Sequence, residues 1–120
     1  MNVKIHSQGF QITRGIEGRV LRQVQRNLRR FEGDLVSLTA FMSDANGPRG
    51  GVDKKVVMHA NMAGMPPISV ATQHSDLYVA IDRTVKRLRR AVQRSLAKSR
   101  RVQPRKVLRL RRFNPETAAG

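Results

Sequence analysis

The sequence predicts an α+β domain of order β-α-β-β-β-α: a four-stranded mixed sheet with two helices packed on one face, followed by a basic C-terminal tail. Three observations carry this reading. Two segments repeat apolar residues every three or four positions, as a helix with one buried face requires. Four others alternate apolar and polar residues, as a half-buried strand does. Glycine and proline clusters separate the strands in the middle of the chain, so short connections favour antiparallel pairing there. The helix between the first two strands permits a parallel crossover.

Val3 and Ile5, flanked by Asn2, Lys4 and His6, make the first short strand, and Ser7, Gln8 and Gly9 turn out of it. Thr13 is placed to cap a helix whose stripe is Ile16, Val20, Val24, Leu28 and Phe31 and which runs to about Arg30. Gly15 and Gly18 each weaken its first turns by roughly 1 kcal/mol relative to alanine, so that end frays unless tertiary contacts hold it. Beyond Gly33 the period becomes two, with Val36, Leu38, Ala40 and Met42 on one face and Ser37, Thr39, Phe41 and Ser43 on the other. The loop Asn46-Gly47-Pro48-Arg49-Gly50-Gly51 ends that strand. The run from Lys54 to Met62 puts Val56, Met58, Ala60 and Met62 on one side, and a hairpin at residues 63–67 leads to Ile68, Val70 and Thr72. Ser75 or Asp76 then caps a second helix striped with Leu77, Ile81, Val85, Leu88, Val92 and Leu96, which Pro104 is expected to stop after about Ser99. The expected organisation is one domain over 1–101 and a tail over 102–120.

Composition narrows the chemistry. The chain has 120 residues, no cysteine and a formal charge of +16. Without cysteine there is no disulfide framework, thiolate metal site or thiol nucleophile. No apolar leader or membrane-length apolar run is present, so a cytoplasmic protein without membrane contact is expected. The charge is lopsided: residues 1–30 carry +6, residues 31–82 carry −3 and residues 83–120 carry +13. Arginine supplies 18 of the 24 basic residues, and its planar fork suits bidentate phosphate recognition. On the first helix Arg19, Arg22, Arg26, Arg29 and Arg30 lie opposite the apolar stripe. On the last, Arg83, Lys86, Arg87, Arg90, Arg94 and Arg101 do the same, with Arg89 and Lys98 on the flanks, and no acid interrupts residues 83–112. A solvated helix face ordinarily interleaves signs, because like charges four residues apart repel. This sign purity points to a polyanion, and RNA is preferred to DNA because no helix-turn-helix, zinc-finger or zipper pattern is present.

Catalysis finds no comparable constellation. His6, His59 and His74 have neither metal-ligand spacing nor a fixed second partner, so they read as structural or surface groups, with a ribonuclease as the weak competitor. Gly47, Gly50 and Gly51 form no phosphate loop, and Met42, Met58 and Met62 read as core filler. Tyr78 reads as packing beside Leu77 and Ile81 rather than as a base-stacking ring. No metal, cofactor or small-molecule substrate is implied.

Asp76-Leu77-Tyr78-Val79-Ala80-Ile81-Asp82, followed by a long basic helix, resembles the D-x-Y-x-A-I-D segment of the ribosome hibernation promoting factor family, and Gly9-Phe10-Gln11-Ile12-Thr13 with Ile16 and Val20 is similar to its strand-to-helix passage. The resemblance covers about residues 1–100. It implies a protein that is not an enzyme and that binds the small ribosomal subunit at the decoding region. There it would overlap the messenger channel and the A and P transfer-RNA sites, with both arginine faces against ribosomal RNA beside neighbouring ribosomal proteins. It further implies a monomer when free, a short form without an appended dimerisation domain, and a role in preserving idle ribosomes under stress or in stationary phase. By the same resemblance Tyr78 and Asp82 match the motif and serve the fold. The glycines at 15 and 18 and the basic tail depart from the family. Arg105, Lys106, Arg109, Arg111 and Arg112 are candidate tail contacts with RNA, and a disordered tail is the alternative. The competing function is a general RNA-binding module with a double-stranded-RNA-binding-like fold that acts away from ribosomes.

Overall fold

The computed structural model describes residues 2–44 and 54–113, with side chains placed at 2–44 and 54–99. Its elements are β1 (Asn2–Gln8), α1 (Arg14–Leu28), a 3₁₀ turn (Arg29–Phe31), β2 (Leu35–Asp44), β3 (Lys54–Met62), β4 (Ile68–His74) and α2 (Leu77–Phe113). The four strands lie in the order β1-β2-β3-β4, with β1 parallel to β2 and the other two pairings antiparallel. The α+β order, the mixed sheet and the two helices therefore stand as the sequence predicts.

The local reasons are visible at each boundary. Thr13 caps α1: its hydroxyl accepts from the Ile16 N–H at 3.1 Å, which satisfies a donor that the first turn leaves open. Asp76 rather than Ser75 caps α2, with its carboxylate accepting from the Tyr78 N–H at 2.9 Å. The Asp76 N–H in turn donates to His74 Nδ1 at 2.9 Å, so this histidine helps to hold the helix start. Gly9 at φ +93° and Gly64 at φ +68° turn the chain after β1 and after β3, where a side chain would be strained.

The sheet buries one face. Leu38, Ala40, Met42, Val56, Met58, Ala60 and Met62 are almost wholly buried, as are Ile16, Val20, Val24, Leu28 and Phe31 from the first helical stripe and Ala80, Ile81, Val85 and Leu88 from the second. Burial of the Val, Leu, Ile, Met and Phe side chains among these contributes roughly 1.5–3 kcal/mol each. Thr84 is the one buried polar residue among the described residues, and its hydroxyl is satisfied by the Ala80 carbonyl at 2.6 Å and by the Thr72 hydroxyl, which ties α2 to β4. Arg19, beside this core, reaches from α1 to Asp82 of α2.

Two expectations need correction. Val36 was placed on the buried face of β2, yet it is 58% exposed while Leu35 is buried. The pairing of β2 with β3 shifts between Leu35 and Ser37, and an irregularity of that kind reverses which face a side chain takes. The second helix was expected to stop near Ser99, but α2 continues through Pro104 to Phe113. Proline removes one backbone donor, while the surrounding Arg, Lys, Leu and Gln are strong helix formers that favour continuation on either side. The chain divides by its contacts into two compact units, residues 1–90 and 91–120. Residues 91–113 of the second unit are helical, and Val92 and Leu96 are buried. The glycine-rich loop at 46–51 and the end of the tail at 114–120 lie outside the described residues.

Candidate nucleic-acid interface

Positions 83, 86, 87 and 90 fall on one strip of α2, because residues three and four apart share a helix face. With Ile81, Val85 and Leu88 turned into the core, Arg83, Lys86, Arg87 and Arg90 are left exposed beside β4. Arg87 Nη1 donates to the Ala71 carbonyl at 2.7 Å, which fastens the cationic strip to that edge strand. Lys55 of β3 completes a concavity of about 560 Å³ lined by Ala71, Thr72, Gln73 and these four cations. Among the described residues its lining therefore holds five positive side chains and no carboxylate. Repulsion among them is left for an anionic partner to relieve, and the guanidinium forks present donors at the spacing of phosphate oxygens.

The first helix uses its arginines differently. Arg19 makes a two-pronged contact with Asp82, Nε to Oδ1 at 2.9 Å and Nη2 to Oδ2 at 2.6 Å. That hydrogen-bonded carboxylate, through the bond first and its charge second, raises the Arg19 pKa above the ordinary arginine value. The guanidinium carbon also sits 5.7 Å from the centre of the Tyr78 ring. Tyr78 packs in turn against α1: a Cβ added at Gly15 would lie 2.9 Å from the Tyr78 hydroxyl oxygen. The glycine that weakens the helix on paper is thus the space the tyrosine occupies. Tyr78, Asp82, Arg19 and Gly15 form one joint between the helices.

The remaining sequence-selected residues are distributed as follows. Arg22, Arg26, Arg29 and Arg30 are exposed along α1 and the 3₁₀ turn, and Arg30 lies over the Phe31 ring at 5.3 Å. Arg89 is half-buried with its Nε unpartnered. Arg94 and Lys98 are exposed on the part of α2 that belongs to the second unit. Arg101, Arg105, Lys106, Arg109, Arg111 and Arg112 occupy helical backbone positions, and their side chains lie outside the described residues. Among the described residues two ion pairs form, Arg19 with Asp82 and Lys54 with Asp44, so of the two helices' described cations Arg19 is the one matched to a carboxylate.

Lys55 was missed by sequence reasoning because it stands in the mildly acidic middle of the chain, where a charge count hides it. The strand alternation was the available signal, since it sets Lys55 opposite the buried Val56. The histidines are placed without a shared centre: His6 stacks on Phe41, His59 Nδ1 is 2.6 Å from the Ser69 hydroxyl, and His74 supports Asp76. No three potential metal ligands gather among the described residues, and no described helix is long and apolar enough to cross a membrane.

Residues 3–100 match the family model described as Sigma 54 modulation protein / S30EA ribosomal protein. No curated protein sequence matches the chain. Among solved structures it is similar to the Thermus thermophilus Protein Y N-terminal domain, with 28% identity, a TM-score of 0.66, and coverage of 78% of this chain and 98% of that one. A ribosomal subunit interface protein from Coxiella burnetii shares the fold at 14% identity and a TM-score of 0.71, covering 81% of this chain and 99% of that one.

Proposed function

Because the chain belongs to the Sigma 54 modulation protein / S30EA ribosomal protein family, that of the ribosome hibernation promoting factors, we propose that it is a cytoplasmic translation inhibitor that works by occupancy rather than catalysis. It binds ribosomal RNA of the small subunit at the decoding region, across the messenger channel and the A and P transfer-RNA sites, and so keeps idle ribosomes inactive and intact under stress. The observation that carries this reading is the groove along α2, where Arg83, Lys86, Arg87, Arg90 and Lys55 converge with no carboxylate among the described lining residues and few apolar side chains. A folded RNA backbone supplies closely spaced phosphates to such a strip, and its release of counterions supplies the affinity. The exposed arginines of α1 add a second bank of positive charge on the same unit, and Arg94, Lys98, Arg101 and the tail cations are proposed as further RNA contacts of the second unit.

The chemistry of such an interface is electrostatic positioning. No bond is made or broken; affinity comes from phosphate contacts, and inhibition follows from excluded volume where messenger and transfer RNA would lie. Sucrose-gradient sedimentation of stationary-phase lysate tests the proposal. The protein is expected to migrate with small subunits and whole ribosomes at low salt. If five counterions are released, affinity should fall roughly 100- to 500-fold between about 50 and 200 mM salt. Recovery only with free RNA, or salt-insensitive binding, would count against a ribosomal phosphate site.

A further inference from the structure

The sheet has a second face, and the function proposed for the helices does not use it. On the side away from the core, the outward positions of the four strands carry hydroxyls, amides, Lys4, Lys55, His6 and His59, and not one carboxylate. In the middle of this face the Phe41 ring is 47% exposed. His6, its register partner on β1, stacks on it with ring centres 5.3 Å apart and planes inclined by 19°. On the other side its register partners are short: Val57 on β3, then Ala71 on β4. The result is a concavity of about 350 Å³ lined by His6, Gln8, Phe41, Ser43, Lys55 and Val57.

We propose that this hollow is a stacking site for an unpaired RNA base, with Phe41 as the platform and Lys55 holding the adjoining phosphate. The argument is one of complementary chemistry. A flat aromatic ring beside short side chains leaves room for a planar base, and the surrounding amide and hydroxyl of Gln8 and Ser43 offer hydrogen bonds to base edges. The absence of carboxylates among the described residues of the face makes it hospitable to a polyanion and offers a basic protein segment no partner there. Lys55 supplies the decisive link, because it lines both this hollow and the cationic groove along α2. A strand whose phosphates follow the α2 groove therefore passes Lys55 at the point where its next base reaches Phe41. The inference rests on the RNA-binding role proposed for that groove, and it assigns to the opposite side of β3 and β4 the task of distinguishing single-stranded from paired RNA.

The test uses the full chain with two probes, a short unstructured RNA oligonucleotide and a blunt RNA duplex. Phe41→Ala should weaken single-strand binding about tenfold and leave duplex binding unchanged, since a duplex offers phosphates to the groove but no free base. The chain contains no tryptophan, so Phe41→Trp installs a unique reporter. This variant should bind the oligonucleotide at least as tightly as the parent, and its emission should be quenched on binding. Thermal unfolding of each variant reports whether the exposed position has disturbed the fold, and the tryptophan variant keeps the test open if the alanine variant is unstable. Unquenched emission in a saturated complex overturns the proposal, as does an equal loss of both probes. Loss of ribosome binding with single-strand affinity intact overturns it in favour of a docked protein. If the unaltered chain binds neither probe nor ribosomes, the groove reading fails with it, whereas ribosome binding unaffected by Phe41→Ala, with unquenched tryptophan, defeats the stacking site alone.

Discussion

The two helices carry arginine-rich outer faces that look alike in sequence and differ in structure. On α1, Arg19 is drawn into a two-pronged contact with Asp82 and lies over Tyr78, and Arg30 lies over Phe31. On the first part of α2, Arg83, Lys86, Arg87 and Arg90 converge with Lys55 on one concavity, and the bond that Arg87 donates to the Ala71 carbonyl neutralises no charge. The difference teaches that a run of like charge mixes two jobs. An arginine with a carboxylate within reach fastens the fold, while a strip of arginines without one among the described residues is the surface proposed above for RNA.

The sharpest way to break this comparison is to reverse charge on each helix separately. Arg83→Glu, Lys86→Glu and Arg90→Glu together should abolish co-sedimentation with ribosomes, a loss of at least about a thousandfold if each lost charge-assisted contact is worth about 1.5 kcal/mol. All three side chains are exposed, so the thermal midpoint should stay close to that of the parent. The matching set on α1, Arg22→Glu, Arg26→Glu and Arg29→Glu, should cost about tenfold to a hundredfold, because those cations do not line the groove. Equal losses in a quantitative pelleting assay would show that the two faces form one uniform surface and that the groove has no privileged role.

Replacing Asp82 tests the other half of the comparison. Asp82→Asn removes the charge that holds Arg19 but keeps the shape of the side chain. The pair is partly exposed and screened by solvent, so only a small loss of stability is expected, read by denaturant unfolding. RNA affinity should rise about two- to threefold, because one acidic charge is lost and Arg19 becomes available. A fall in RNA affinity without a fall in stability would instead make Asp82 part of the binding surface.

The sequence made the architecture legible where periodicity is strong. Ile16 to Phe31 and Ile81 to Leu96 are buried as helical stripes, and Val56 to Met62 alternate as the strand pattern requires. It failed where a non-local event decides. The register shift that turns Val36 outward depends on how β2 meets β3, and nothing in the sequence of β2 alone announces it. Pro104 alone reads as a stop, but the strong helix formers on either side carry α2 past it. The candidate site was half legible. Residues 83, 86, 87 and 90 follow from helical spacing, whereas Lys55 joins them only because β3 pairs with β4 and α2 flanks that edge. The pairing of Arg19 with Asp82 spans 63 residues, so no local window contains it, and the exposed Phe41 was read only as the other side of an alternation.

The smallest effect concerns the joint between the helices, and it separates intrinsic propensity from packing. Gly15→Ala should on propensity alone stabilise α1 by roughly 1 kcal/mol. In the folded protein the new methyl meets the Tyr78 hydroxyl oxygen at 2.9 Å, and Tyr78 has the Arg19 guanidinium over its ring, so it cannot swing away without disturbing that contact. The two contributions oppose each other, and the single variant should change stability little or lower it. Tyr78→Phe removes the oxygen that the methyl would strike. In that background Gly15→Ala should recover about 0.5–1 kcal/mol, measured as the coupling in a double-mutant cycle of chemical denaturation. A gain of the same size in both backgrounds would mean that Tyr78 does not press on α1, and that the helices meet through Arg19 and Asp82 without help from the ring.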